Sequence, residues 1–211
     1  MNELIFRIVT SITLILFFYF SYIYTQIFYI LLLLFVVISA IEYSQLIFKI
    51  HKLNTNRFIF IFIAFTYLIF VIYTIIHNFD ELKDIIFYFT IICISTDIGG
   101  LIAGKIFKGK KLTKISPKKT YAGFYGSFVA SLVVMFFSLN YLNINMFVVV
   151  IFTLSVCLLS QLGDLFFSYL KRLAKVKDTG KLLPGHGGIL DRVDGIIISV
   201  PINILFFTLS S

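Results

Sequence analysis

Hydrophobic residues in this chain come in long, nearly unbroken runs, and polar residues come in short clusters between them. Runs long enough to cross a bilayer, about 17–25 residues each, fall at roughly 4–23, 26–47, 57–76, 85–104, 123–139, 145–170 and 189–209. The pattern predicts an all-α, polytopic membrane protein of about seven transmembrane helices. Only a short Tyr/Thr/Gln turn separates the first two runs. The sixth run exceeds one span, so its end from Asp164 onward is expected to project beyond the hydrocarbon as helix. The N-terminal run from Ile8 to Tyr24 has no A-x-A-like site after it and reads as a retained first span, not a signal peptide. No internal repeat, low-complexity linker or soluble domain interrupts the pattern, so residues 1–211 read as one integral membrane domain.

Composition sharpens this reading. The chain is 60% hydrophobic and 13% charged, whereas soluble domains carry about 25% charged residues. No soluble core could bury so many Phe, Ile and Leu side chains. The net charge of +8 could suggest nucleic acid, but the basic residues are confined to short loops. With spans alternating in direction, Arg7, the Lys49–Arg57 loop, the Lys105–Lys119 loop and the Lys171–Arg192 region share one face, and Lys83 alone lies opposite. The positive-inside rule puts that face in the cytoplasm, with the N-terminus. The turn Asn140 to Asn143 and the C-terminus then lie outside, and the expected location is the inner (cytoplasmic) cell membrane. Cys93 and Cys157 lie inside apolar runs and read as small buried hydrophobes.

Carboxylates inside spans are costly, about 2.5–3.5 kcal/mol at a helix centre, and default to a functional reading. Asp97 and Asp164 interrupt otherwise apolar runs close to the basic loops that follow them, and Asp191 and Asp194 open the last run. All four converge in depth near the basic face. Asp164, Ser168, Lys171 and Lys175 recur at helical spacing and predict one stripe of a helix, and Asp191 and Asp194 share a face at i, i+3. A hard cation such as Mg²⁺ takes one or two carboxylates plus substrate phosphates and water, which Asp164 with Asp191 could supply. The competing reading is that these acids pair with Lys or Arg across helices.

Two loops carry further chemistry. The segment Ser116-Pro117-Lys118-Lys119-Thr120 offers two ammonium groups and two hydroxyls to a phosphate, or is an ordinary basic loop. Pro184-Gly185-His186-Gly187-Gly188 can turn backbone N–H groups toward an anion, with His186 placed to bind or polarise a phosphate. Gly99-Gly100 and Gly104 suggest close helix approach. No G-x-x-x-x-G-K-[ST] run or H-x-x-x-H or C-x-x-C spacing occurs, which argues against a P-loop and against zinc.

These elements resemble a known family. Gly163-Asp164-Leu165, then Ser168 to Arg172, then Lys177-Asp178-Thr179-Gly180, then Pro184 to Asp194 resemble the phosphatidate cytidylyltransferase signature in order and spacing. A second block, from Thr96-Asp97 through Gly104-Lys105 to Thr120 and Gly123, is similar to the family's other membrane-edge region. The chain departs from the family at Gly100-Leu101, where Ala-Tyr is common, at Ala122, where Glu or Gln is usual, and at Lys108, where Gly is more usual. The resemblance divides the chain into N-terminal spans over 1–94 and a catalytic half over 95–211, with the signature at 163–194.

The resemblance implies transfer of CMP from CTP to phosphatidic acid, giving CDP-diacylglycerol and pyrophosphate with the help of Mg²⁺. It implies Asp164 and Asp191 as metal ligands. Lys171, Arg172 and Lys177, with Lys118 and Lys119, would bind phosphates of CTP or lipid. His186, Gly187 and Gly188 would shape the nucleotide site, and Asp97 and Asp194 would orient the cations or water. Ser168, Asp178, Arg192 and Thr120 complete the expected substrate-binding set. A homodimer is a candidate assembly, and no nucleic-acid partner is expected. The alternatives are a CTP-dependent polyprenol or dolichol kinase, separated by its products, and a cation-coupled transporter, whose acids should spread across the membrane depth.

Overall fold

The computed structural model describes residues 2–50, 56–113, 115–116, 118–142, 144–180, 182 and 187–210, with side chains from Val9 onward. The described residues form six helices: α1 (Asn2–Ile23), α2 (Thr25–Lys49), α3 (Arg57–Phe107), α4 (Tyr121–Leu142), α5 (Met146–Leu173) and α6 (Leu190–Ser210). Helices α2 to α6 are each long and apolar enough to cross a membrane, and Val9–Ile23 within α1 is a shorter apolar helix. Large apolar side chains such as Phe62 (72% exposed) and Phe147 (72%) stand on the surface, as lipid-facing residues do and soluble surfaces rarely do. The protein is a polytopic all-helical membrane protein.

The third and fourth predicted runs are joined in α3, whose 51 residues would measure about 76 Å if straight. That is far longer than a hydrocarbon core of about 30 Å. The helix is interrupted at Leu82, whose φ of −114° and ψ of 21° are not helical. This break falls in the polar cluster Asn78 to Asp84. Across it the rings of Phe79 and Phe87 lie 6.5 Å apart. Eight residues of straight helix rise about 12 Å, and both side chains would lean toward the N-terminus. The contact therefore requires the axis to break. Residues Asn140 to Leu142, read from sequence as part of a turn, instead belong to the last turn of α4; Asn143 is outside the described residues.

The chain divides into two compact units. The first comprises Met1–Ile76 and Leu170–Val193. It contains α1, α2, the opening of α3, the end of α5, the loop that follows and the first turn of α6. Leu46, Ile47, Ile50, Val71 and Leu190 are among its fully buried side chains. Tyr24, in an extended conformation, separates α1 from α2, as the short polar turn predicts.

The second unit comprises His77–Tyr169 and Asp194–Ser211. Small residues let α3 and α4 approach closely. A Cβ on Gly99 would fall on Ala130, and one on Gly126 would fall on Ala103. Ser127 Oγ donates to the Thr96 carbonyl at 2.8 Å, and Thr96 Oγ1 pairs with Ser131 Oγ at 2.9 Å. Helices α3, α5 and α6 meet through Tyr88–Thr153 (2.6 Å), Cys93–Ser199 (2.9 Å), and the rings Phe89, Phe152 and Phe207. Both cysteines are free and buried, as their apolar setting predicts. Gly163 lies against Gly195, so that α5 and α6 touch backbone to backbone in the turns that carry Asp164 and Asp194.

Candidate functional site

The acids singled out by sequence divide between the two units, Asp178 and Asp191 in the first and Asp97, Asp164 and Asp194 in the second. In the first unit, α5 ends at Leu173 with a Schellman closure. Val176 N donates to the Lys171 carbonyl at 3.0 Å, Lys175 N to the Arg172 carbonyl at 3.1 Å, and Lys175 has φ of +56°. Lys175 therefore leaves the predicted Asp164–Ser168–Lys171 stripe, because the left-handed residue that satisfies the terminal carbonyls also ends the helix. Lys171 stays on the helix, and its Nζ meets Asp191 Oδ1 at 2.6 Å.

Asp191 stands in the first turn of α6, where the exposed N–H groups and the helix dipole favour an anion. Its Oδ2 accepts from Thr179 N (2.8 Å), Thr179 Oγ1 (3.0 Å) and Gly188 N (3.1 Å). One carboxylate thus ties the end of α5, the loop at Thr179 and the loop's return at Gly188. Gly187, at φ of +88°, adopts a conformation suited to glycine and packs near Asp178 and Asp191. Gly188 is needed for space, since a Cβ there would fall on Thr179 Oγ1 and the Glu42 carboxylate. Lys177, Asp178, Arg172 and Arg192 are exposed around this core. His186, expected to border a phosphate, lies outside the described residues with Pro184 and Gly185, as do Lys114, Pro117 and Lys181.

Sequence reasoning missed Glu42. It lies in α2, is 5% exposed, and accepts from Thr179 Oγ1 (2.8 Å), Ile189 N (3.1 Å) and Leu190 N (2.9 Å). The signal was present. Glu42 interrupts an apolar run seven residues before Lys49, the same offset that separates Asp164 from Lys171.

In the second unit, Asp164 Oδ2 pairs with Lys119 Nζ at 2.5 Å, and Ser168 Oγ donates to Asp164 Oδ1 at 3.2 Å. The loop that delivers Lys119 is a small hairpin. Leu112 N donates to the Lys119 carbonyl (2.8 Å), Tyr121 N to the Lys110 carbonyl (3.1 Å), and Lys119 N to the Ser116 carbonyl (3.0 Å). Thr120 Oγ1 accepts from Gly123 N at 3.1 Å, which makes Thr120 the N-cap of α4. Lys118 is exposed beside it. Asp194 is buried, with Gly195 N donating to its Oδ1 at 2.8 Å. Asp97 is exposed on α3.

Of the two readings left open for the acids, pairing with lysine is realised for both Asp164 and Asp191. This bears on cation binding unequally. A carboxylate has about four lone-pair positions. Asp164 uses two of them, is 31% exposed, and fits a magnesium-like ion that needs one or two carboxylates and completes its shell with phosphate and water. Asp191 faces four donors, one of them the Thr179 hydroxyl that it shares with Glu42, and is 6% exposed, so a cation there displaces one of them. Among the described residues no three His, Cys, Asp or Glu side chains form a metal-sized cluster.

Comparison with known proteins places this arrangement. Residues 2–210 match the model of the cytidylyltransferase family. The phosphatidate cytidylyltransferase of Rickettsia felis is 46% identical over 132 residues, which cover 58% of this chain and 57% of that protein. The Staphylococcus haemolyticus phosphatidate cytidylyltransferase is 37% identical over 178 residues, 79% of this chain and 68% of that protein. That of Bacillus subtilis is 36% identical over 181 residues, 84% of this chain and 66% of that protein. The chain spans little more than half the length of the Rickettsia relatives it matches.

Proposed function

The chain belongs to the cytidylyltransferase family, and from that premise we propose that it transfers CMP from CTP to phosphatidic acid. A phosphate oxygen of the lipid attacks the α-phosphorus of CTP, the bond to the β-phosphate oxygen breaks, and pyrophosphate leaves with that electron pair. The products are CDP-diacylglycerol and pyrophosphate. The observation that carries the reading is the Asp191 carboxylate, which takes Thr179, Gly188 and Lys171 together, within the stretch that resembles the transferase signature.

The reaction brings two anionic phosphates together, so positioning and charge screening supply most of the acceleration. Lys118, Arg172 and Lys177 are exposed cations at helix ends and loops, suited to triphosphate or lipid phosphate. Lys119 and Lys171 are held by carboxylates, and incoming phosphate would compete for their ammonium groups. His186, Gly187 and Gly188 would border the nucleotide, Ser168, Asp178, Arg192 and Thr120 would lie along the substrates, and Asp97 and Asp194 would orient water and cations. Mg²⁺, with Asp164 its first candidate ligand and Asp191 its second, would screen the reacting phosphates and the leaving pyrophosphate. Phosphatidic acid is already anionic, so neither a general base nor a covalent enzyme intermediate is required. The N-terminus and the basic loops face the cytoplasm of the inner membrane in this reading, and a homodimer is the candidate assembly.

The test is incubation of the purified chain in detergent with phosphatidic acid and CTP labelled at the α-phosphorus, with and without Mg²⁺. Labelled CDP-diacylglycerol and unlabelled pyrophosphate are expected. A parallel incubation with a polyprenol in place of phosphatidic acid that gives polyprenyl phosphate and labelled CDP would assign a kinase instead. No labelled lipid from folded protein would refute the transferase.

A further inference from the structure

Glu42 is the one buried acid of α2, and the chemistry above makes no use of it. Its two oxygens receive three donors at 2.8–3.1 Å: the Thr179 hydroxyl and the N–H groups of Ile189 and Leu190. Those two N–H groups open α6, where a helix offers no carbonyl partner of its own. Glu42 is therefore an N-cap delivered to α6 from a distant helix. The same carboxylate occupies the space beside Gly180 and Gly188, where a Cβ would collide with it. A buried carboxylate is costly unless partnered, and the Ile189 and Leu190 N–H groups serve Glu42 alone.

Resting on the transferase reading, we propose that Glu42 is a positioning residue for the reaction. It fixes the neck of the loop between Thr179 and Gly188 and the first turn of α6, and through Thr179 it holds the carboxylate of Asp191. Without it, Thr179 and Gly188 still bond Asp191, and through it Lys171, but they lose their tie to α2. The Thr179 and Gly188 ends of the loop are then held by Asp191 alone. Of the groups assigned to substrate Glu42 packs only against the Gly188 backbone, so its contribution runs through Asp191 and the loop neck.

The experiment uses the full chain in detergent with Glu42→Gln, Glu42→Asp and Gly180→Ala. Three quantities are read: unfolding temperature, steady-state kinetics in each substrate, and hydrogen exchange of the peptide spanning Gly187 to Val193. Gln keeps the size but turns an amide N–H₂ toward groups that are themselves donors. It is expected to speed exchange at Ile189 and Leu190 and to lower kcat/KM for CTP about 10–100-fold, as loss of an outer-shell orienting group does. KM for phosphatidic acid should be unchanged. Glu42→Asp restores part of the activity, and Gly180→Ala, pressing on the carboxylate from the other side, reproduces the Gln pattern. If Gln does not fold, the Asp and Gly180→Ala variants carry the comparison. Folded variants with wild-type kcat and KM overturn the proposal, as does activity that falls only in step with the amount of folded protein. If the native chain makes no labelled lipid, the transferase reading fails on its own. Exchange then decides whether Glu42 holds the loop, and unchanged exchange overturns the clamp itself.

Discussion

Glu42 and Asp191 meet on one hydroxyl. Thr179 Oγ1 lies 2.8 Å from Glu42 Oε2 and 3.0 Å from Asp191 Oδ2. A hydroxyl has a single proton to donate, so it cannot satisfy both carboxylates at once. The rest of the work falls to backbone N–H groups: Ile189 and Leu190 on Glu42, Thr179 and Gly188 on Asp191. Two acids from opposite ends of the sequence are thereby locked to one short loop, and changes there should propagate to both.

Asp191→Asn is the most direct probe. Asp191 and Lys171 are 6% and 12% exposed in their side chains. The substitution leaves the Lys171 ammonium in a poorly hydrated place and turns an N–H₂ group toward the three loop donors. Removing one partner of a buried pair costs about 3–5 kcal/mol. The expected outcome is a lower unfolding temperature together with loss of labelled product. An Asn variant of native stability and native rate would mean that Asp191 neither clamps the loop nor serves the reaction.

Asp164 should behave in the opposite way. The Lys119–Asp164 pair is 25% and 31% exposed, and exposed pairs contribute about 0–1 kcal/mol. Asp164→Asn should therefore leave thermal unfolding nearly unchanged while raising the Mg²⁺ concentration needed for half-maximal rate. Lys119→Ala should also leave stability unchanged. A large drop in unfolding temperature in either variant would reassign this pair to folding.

Much of this was legible in the sequence, and the reasons differ by feature. The apolar runs marked every span because the bilayer sets their length. The joining of two runs in α3 was hidden, since the Asn78–Asp84 cluster reads as a loop and folds as helix on both sides of Leu82. The stripe of Asp164, Ser168 and Lys171 was visible from helical spacing, whereas Lys175 left it by a backbone reversal that no side-chain pattern records. Which lysine meets which acid was not legible, because Lys119 reaches Asp164 through a hairpin whose geometry is set by backbone bonds. Glu42 was visible as an acid in an apolar run, but its partners lie 137 to 148 positions away, beyond any spacing argument.

Lys108 offers a prediction independent of chemistry. It follows the last residue of α3 with φ of +50°, is exposed, and precedes Gly109 at φ of +102°. A residue with a Cβ in this region carries a penalty of about 1–2 kcal/mol, partly offset in glycine by its larger unfolded-state entropy. Lys108→Gly should raise the unfolding temperature by about 2–4 °C per kcal/mol gained, and Lys108→Ala should not. Equal gains from both would point to removal of charge as the cause.

Gly188→Ala tests the loop neck from the side of shape. A Cβ at Gly188 would fall on Thr179 Oγ1 and on both carboxylate oxygens of Glu42, three atoms already fixed by mutual hydrogen bonds. None of them is the free end of a flexible side chain, so the loop must move and the Gly188 N–H must leave Asp191. The expected result is loss of transfer in the single variant. In the Glu42→Ala background two of the three clashing atoms are gone and the Thr179 hydroxyl loses its bond to Glu42, so adding Gly188→Ala should cost less than it does alone. That non-additivity, measured as a double-mutant cycle on kcat/KM for CTP, should exceed the few tenths of a kcal/mol, about 0.3–0.5, seen for independent sites. Additive effects would mean that Gly188 is required for a reason other than the Glu42 carboxylate, such as direct approach of a substrate phosphate to its N–H.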